Sequence, residues 1–133
     1  MLLVINPNLE GRLIVCMSGQ EALTKIKDSI SIDGDSVSTD IGLIFTDLSM
    51  PMMDGYQFSV NCRRLLRNSG IDRIFQPKII ALTGHTESEF FLRAFKKRID
   101  QVYSKPIASD YIKLVLLENG FWINLEKAEK LLN

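Results

Sequence analysis

"LIFTDLSMPMMDG", residues Leu43 to Gly55, decides how the rest of the chain is read. Ile41 to Thr46 is a nearly unbroken apolar run, the pattern of a strand covered on both faces in a parallel sheet. The run ends on a carboxylate, Asp47, and passes into a loop of three methionines, a proline and a second aspartate, Asp54, placed to cap the next helix. In open parallel sheets ligands bind in the crevice beyond the carboxyl ends of the strands, so Asp47 stands where chemistry is done.

Upstream, "MLLVI" and "RLIVCM" (Arg12 to Met17) read as short strands, and Ser18 with Glu21 forms an S-x-x-E box opening a helix through about Ile30. Ala22, Leu23, Ile26 and Ile30 supply its apolar face. "SIDGDSVSTD", Ser31 to Asp40, has no periodicity and reads as a surface loop. Downstream, Asp54 opens a helix to about Asn68 whose Phe58, Cys62, Leu65 and Leu66 share one face. "KIIALT" (Lys78 to Thr83) is another buried strand. Thr86 and Glu89 form a second box before the stripe Phe91, Ala94, Phe95. "DQVYS" is a short strand, "KP" a turn, and Ser109 or Asp110 caps a helix that stops at Asn119-Gly120. "NLEKAEKLLN" places Leu125, Ala128, Leu131 and Leu132 on one side of a last short helix. Strands alternating with helices argue an α/β fold.

A chain of 133 residues, 46% hydrophobic and 24% charged, suits one globular domain that needs neither disulfide nor metal to fold. Sixteen basic and sixteen acidic side chains cancel, so no long-range field draws it to nucleic acid or to an anionic membrane. Cys16 and Cys62 lie in apolar segments, share no ligand-like spacing with the single histidine, His85, and read as buried free thiols. "MLLVI" is too short for a signal-peptide core, and no apolar run approaches the roughly 18 residues of a membrane span. The expected setting is cytoplasmic.

Three strands thus end in polar groups: Asp47 just past one, Thr83 closing another, Lys105 just past a third. Together a carboxylate, a hydroxyl and an ammonium suit phosphoryl chemistry, the carboxylate as nucleophile or metal ligand and the other two on the phosphoryl oxygens. Singly each has a plainer reading, as a turn aspartate, a β-branched strand end and an exposed Lys-Pro turn. Their convergence at one sheet edge favours the chemical reading. His85 reads as solvated rather than as a base. A hydrolase of the haloacid-dehalogenase type also uses a strand-end aspartate, but it wants a second aspartate where this chain has Ser49.

"FTDLSMPMMDG", "IIALTGHT" and "QVYSKPI" closely resemble the receiver domain of two-component response regulators and hybrid histidine kinases, over about Arg12 to Leu117. The resemblance implies a flavodoxin-like (CheY-like) doubly wound parallel sheet of order 2-1-3-4-5. It implies that Asp47 is the phosphoacceptor, attacking a phosphohistidine of a histidine kinase or phosphotransfer protein, and that Ser49 lends a backbone carbonyl to Mg²⁺. Thr83 resembles the switch hydroxyl, Lys105 the lysine that pairs with the phosphoryl group, and Tyr103 the aromatic whose rotamer reports the state. The Lys105-Pro106 bond is expected to be cis, as in the family. The implied role is regulatory rather than enzymatic. Phosphorylation would add nearly two negative charges and bias the surface near Thr83 and Tyr103.

Two departures qualify this. The family's acidic pair after its first strand, which holds Mg²⁺, is replaced here by Val4, Ile5 or Asn6, leaving a weak site; Glu10 and Asp54 are the only nearby acids and neither matches a family ligand. The alternative role is therefore a non-phosphorylated pseudo-receiver that binds proteins. Second, Asn6 to Arg12 is too short to cross between parallel strands, so the family's first helix is missing. Either "MLLVI" folds back as an antiparallel hairpin, the favoured expectation, or the chain is N-terminally incomplete. The extra C-terminal segment, Phe121 to Asn133 with its apolar Phe121, Trp122, Ile123, Leu125 and Leu131, is expected to cover the bared face, and dimerisation would otherwise do so. One receiver-like domain over 1–133 is expected, with an atypical segment 1–11, a core 12–118 and an extension 119–133.

Overall fold

Alternation along three strands builds two apolar layers from one sheet. In the computed structural model, which describes residues 1–6, 12–50, 52–84, 92, 93, 96, 98–120 and 125–133, the strands are β1 (Leu2–Asn6), β2 (Arg12–Cys16), β5 (Leu43–Asp47), β6 (Lys78–Thr83) and β7 (Gln101–Ser104). Successive side chains on a strand point to opposite faces. Leu2, Val4, Ile44, Ile79 and Ala81 accordingly join one core, while Leu3, Ile5, Leu43, Phe45, Ile80 and Leu82 join the other.

The first layer is closed by α1 (Gly19–Asp28) and α2 (Gly55–Asn68). Ala22 and Ile26 from α1 meet Phe58, Cys62 and Leu66 from α2, all fully buried. Phe58, Cys62 and Leu66 stand four apart, one helical face, and each fully buried Phe or Leu contributes about 1.5–3 kcal/mol. The second layer is closed by α3 (Ser109–Glu118), through Ile112, Val115 and Leu116, and by α4 (Leu125–Leu132), through Ala128 and Leu132. Leu125 and Leu131 pack beside them. Asn133 fastens the end of α4: its Oδ1 accepts from the Ile107 N–H at 2.9 Å and its Nδ2 donates to the Ile107 carbonyl at 3.0 Å. The C-terminal helix thus lies on the face that also carries Leu3 and Ile5, as expected of a substitute for the missing helix.

Strand order is β2-β1-β5-β6-β7, the expected 2-1-3-4-5 arrangement. The sheet is mixed rather than wholly parallel. β5, β6 and β7 pair in parallel, but β1 runs antiparallel to both β2 and β5. The cause is the short link expected to force a hairpin: without a crossover helix, β1 keeps its place and reverses its direction.

Three local expectations change. Ser31 to Asp40 is not a loop throughout; β3 (Ile30–Asp33) and β4 (Ser36–Thr39) pair as a two-stranded hairpin. Gly34, at φ 61°, supplies the left-handed turn residue of its Asp-Gly step. Ala108, not Ser109 or Asp110, is the N-cap of α3 and makes no side-chain cap bond. The first helix ends at Asp28, and Glu21 turns its Oε2 to the N–H of Met17 rather than to the cap residue. Elsewhere local chemistry acts as read. Ser18 Oγ accepts from the Glu21 N–H at 3.1 Å, and Asp54 and Gln57 form a reciprocal capping box. Thr86, Glu89, Phe91, Ala94 and Phe95 lie outside the described residues, as do His85, Glu10 and the Phe121-Trp122-Ile123 part of the C-terminal segment.

Candidate functional site

Asp47 is the last residue of β5, held at the sheet edge by its neighbours' backbone. Its N–H donates to the Met1 carbonyl at 3.1 Å, and the next residue, Leu48, donates to the Leu82 carbonyl of β6. The chain then turns back so that the Gly55 N–H reaches the Leu48 carbonyl at 2.9 Å. That closure explains the Asp-Gly pair of the loop. A Cβ on Gly55 would lie 2.5 Å from the Asp47 carbonyl oxygen and 2.9 Å from Leu48 Cα, so only glycine fits.

Two cations face the Asp47 carboxylate. Lys105 Nζ sits 2.6 Å from Oδ1, and the α-amino group of Met1 sits 3.2 Å from Oδ2. Lys105 is aimed by the turn it opens: its N–H donates to the Thr83 carbonyl at 2.7 Å, and the bond to Pro106 is cis, as expected. Thr83 closes β6 and is 3% exposed, which places its side chain inside the fold rather than on the rim. Ser49 is exposed on the loop two residues past Asp47.

Tyr103 stands apart from this group. Its hydroxyl donates to Gln101 Oε1 at 3.3 Å, toward the start of β7, and its ring centroid lies 5.3 Å from that of Tyr111. Burial, with the charge of Glu118 second, pushes its phenol pKa up. The structure therefore brings Asp47 and Lys105 into contact, ties Thr83 to Lys105 through the backbone, and leaves the Tyr103 hydroxyl engaged elsewhere.

Mg²⁺ takes near-octahedral oxygen ligation, and the described residues offer it little beyond Asp47, one oxygen of which faces Lys105. Among the described residues no three His, Cys, Asp or Glu side chains gather where they could hold a metal. Asp54 is spent on the Gln57 N–H at the start of α2. Strand reversal supplies the physical reason. Leu2 pairs with Thr46 beside Asp47, whereas Val4 and Ile5 pair with Ile44 and Leu43 toward the far end of β5. The described end of β1 thus lies away from Asp47.

Sequence reasoning passed over Arg63, the one buried cation among the described residues. Its guanidinium donates to the Arg98 carbonyl, Gln76 Oε1, the Pro77 carbonyl and Asp100 Oδ2. Asp100 in turn accepts from Arg73 at 2.8 Å and from the Ile79 N–H at 2.8 Å. Burial, ahead of the neighbouring Arg73 charge, lowers the Arg63 pKa, while Asp100 opposes the fall. No periodicity marks this residue. Only its place on the apolar face of α2, one position after Cys62, hinted that an arginine would be buried there.

Comparison with known proteins gives this arrangement its family. Residues 12–116 match the response regulator receiver domain model. The chain is 36% identical over 104 residues, 78% of its own length, to hybrid signal transduction histidine kinase L of Dictyostelium discoideum, of which it spans only 6%. It is 26% identical, with a TM-score of 0.60, to the receiver domain of the histidine kinase CKI1 of Arabidopsis thaliana complexed with Mg²⁺ and BeF₃⁻, covering 77% of this chain and 69% of that one. The fold is shared too with the chemotaxis protein CheY4 of Vibrio cholerae, at 20% identity and a TM-score of 0.61 over 84% of this chain and 80% of that one. The chain belongs to the response regulator receiver domain family of two-component and phosphorelay systems.

Proposed function

We propose that this receiver domain, a single unit over residues 1–133, takes a phosphoryl group on Asp47 from a histidine kinase or phosphotransfer protein, and does so slowly. The 2.6 Å approach of Lys105 Nζ to Asp47 Oδ1 carries this reading, since it puts a positive charge where the incoming dianion would otherwise meet only a carboxylate. In the transfer, an Asp47 oxygen forms a bond to phosphorus as the bond from phosphorus to the partner's imidazole nitrogen breaks. The electron pair leaves with the imidazole, which takes a proton from solvent. Thr83 and Lys105 then hold phosphoryl oxygens, and Tyr103 shifts with them. The role is regulatory, in a cytoplasmic phosphorelay that ends on a protein partner. Mg²⁺ would contribute little to the step, because Asp47 and the Ser49 backbone carbonyl alone make a weak ligand set.

A second reading is favoured by the sparse acidic set around Asp47 and by the reversed first strand: both suit a pseudo-receiver that binds proteins without phosphorylation. The two separate by intact mass. The chain is mixed with a phosphorylated phosphotransfer protein, with and without Mg²⁺, beside Asp47→Asn. An added phosphoryl group that is absent from the variant and indifferent to Mg²⁺ supports acceptance. No adduct under any condition leaves the binding module, and an adduct that requires Mg²⁺ overturns the metal argument.

A further inference from the structure

At the edge of the sheet opposite Asp47, two adjoining cavities of about 260 and 400 Å³ run between the second half of α2 and the turn before β6. They share Arg63, Arg67 and Arg98, so they form one cleft. Arg63 is occupied in its buried network and serves as the floor. The other cations are Arg64, Arg67, Arg73, Lys96 and Arg98, of which only Arg73 pairs with a carboxylate among the described residues. Among the described residues lining the two cavities Asp72 is the one acid, and Asp100 beside them is held by two arginines. In a chain of zero net charge, this concentrates positive charge on one wall. Beside it, on the turn that follows Arg73, Ile74 is 84% exposed and Phe75 is 70% exposed.

We propose that this cleft docks an acidic peptide segment of a protein partner, its carboxylates on the arginines and an apolar side chain against Ile74 and Phe75. Arginine forks bind carboxylates in two-point geometry, and four of the five cations are arginines. The apolar pair argues for a peptide over a small inorganic anion, which would gain nothing from it. It argues also against a polynucleotide: one exposed aromatic is no stacking series, and a neutral chain offers no long-range pull on a polyanion. The proposal is independent of phosphorylation, because the cleft and Asp47 lie at opposite strand ends.

The test is fluorescence anisotropy of a labelled peptide of about a dozen residues, alternating Glu with Leu and Phe, against the whole chain at low and moderate salt. Expected are saturable binding, a loss of about ten-fold or more in Arg64→Glu/Arg67→Glu, a smaller loss in Phe75→Ala, and none in Lys113→Glu on α3. Arg64, Arg67 and Lys113 are all exposed, so a thermal melt should show the variants folded. Absence of binding, equal losses in Lys113→Glu, or tighter binding of a single-stranded oligonucleotide of equal charge would overturn the proposal.

Discussion

Lys105 Nζ lies 2.6 Å from Asp47 Oδ1, across the gap between the ends of two strands that are not neighbours in the sheet. The lysine comes from the turn after β7, the aspartate from the end of β5, and β6 lies between them. Its backbone N–H is held by the Thr83 carbonyl of that middle strand, so the pair is built by the sheet rather than by side-chain chance. Replacing Lys105 by Met should cost little stability, within about 1 kcal/mol, because both groups are partly exposed and water screens the pair. Acceptance of a phosphoryl group by Asp47 should fall far more, and intact-mass kinetics beside a melting curve would show whether the two effects separate.

Gly55 makes a sharper steric prediction. Gly55→Ala pushes a methyl into backbone, at the Asp47 carbonyl and Leu48 Cα, and should destabilise by about 1–3 kcal/mol while displacing the end of β5. Gly19→Ala meets chiefly Met53 Sδ, at 2.7 Å, the end of a flexible side chain that can move aside. Denaturant midpoints for the two variants should differ in that order. Equal midpoints would mean that the loop after Asp47 is softer than its contacts imply.

Much of this was legible because local chemistry agreed with the global fold. "KIIALT" is β6 residue for residue, the Asp54 cap and the Asn119-Gly120 stop stand where the sequence put them, and Lys105-Pro106 is cis. What could not be read depended on non-local pairing. The link from Asn6 to Arg12 forbade a parallel crossover, yet nothing in "MLLVI" stated that the reversed strand would still fill the central position and bring Met1 to Asp47. The β3–β4 hairpin was missed because Ile32 is 75% exposed, so no buried face enforced an alternation. The Asp33-Gly34 step was the available clue. Arg63 was hidden for the opposite reason, since a charge belongs inside only when partners from α2, the turn before β6 and the start of β7 converge on it.

That convergence predicts a large penalty for removing it. Arg63→Ala leaves Gln76 Oε1 and the Pro77 carbonyl without this donor in a buried setting and breaks the buried pair with Asp100, which keeps only Arg73 and the Ile79 N–H, and should cost about 3–5 kcal/mol in urea unfolding. Arg63→Lys keeps the charge but cannot span four acceptors, and should recover only part of the loss. A near-neutral Arg63→Ala would show the network to be incidental.

Burial of the two thiols sets a pH dependence. Burial pushes Cys62 up to about 12 and Cys16 up to about 11 from the ordinary thiol value of 9.0. The unfolded thiol therefore ionises first. The stability that Cys62 contributes is whole below 9.0 and is lost as pH rises toward about 12, by at most about 1.4 kcal/mol per pH unit. Cys62→Ala should flatten this alkaline fall in a series of urea unfolding curves. Near neutral pH neither thiol should react with iodoacetamide until the protein unfolds.

Whether α4 is part of the fold or an appendage is decided by the residues it buries. Ala128 and Leu132 enter the same apolar layer as Leu3, Ile5 and Val115, and Asn133 closes on both backbone groups of Ile107. Leu132→Ala should therefore destabilise by roughly 2–5 kcal/mol through the cavity it opens, as for any core leucine. Asn133→Ala should cost about 1–2 kcal/mol, since the part-buried Ile107 groups lose their partners. Glu126→Ala, whose exposed pairing with Lys130 spans 3.5 Å, should stay within about 0.5 kcal/mol. If α4 were an appendage, all three would leave the urea midpoint unmoved. If it replaces the missing helix, the first two should lower that midpoint together with the loss of the β1 strand, because Leu3 and Ile5 of the reversed strand depend on the same layer.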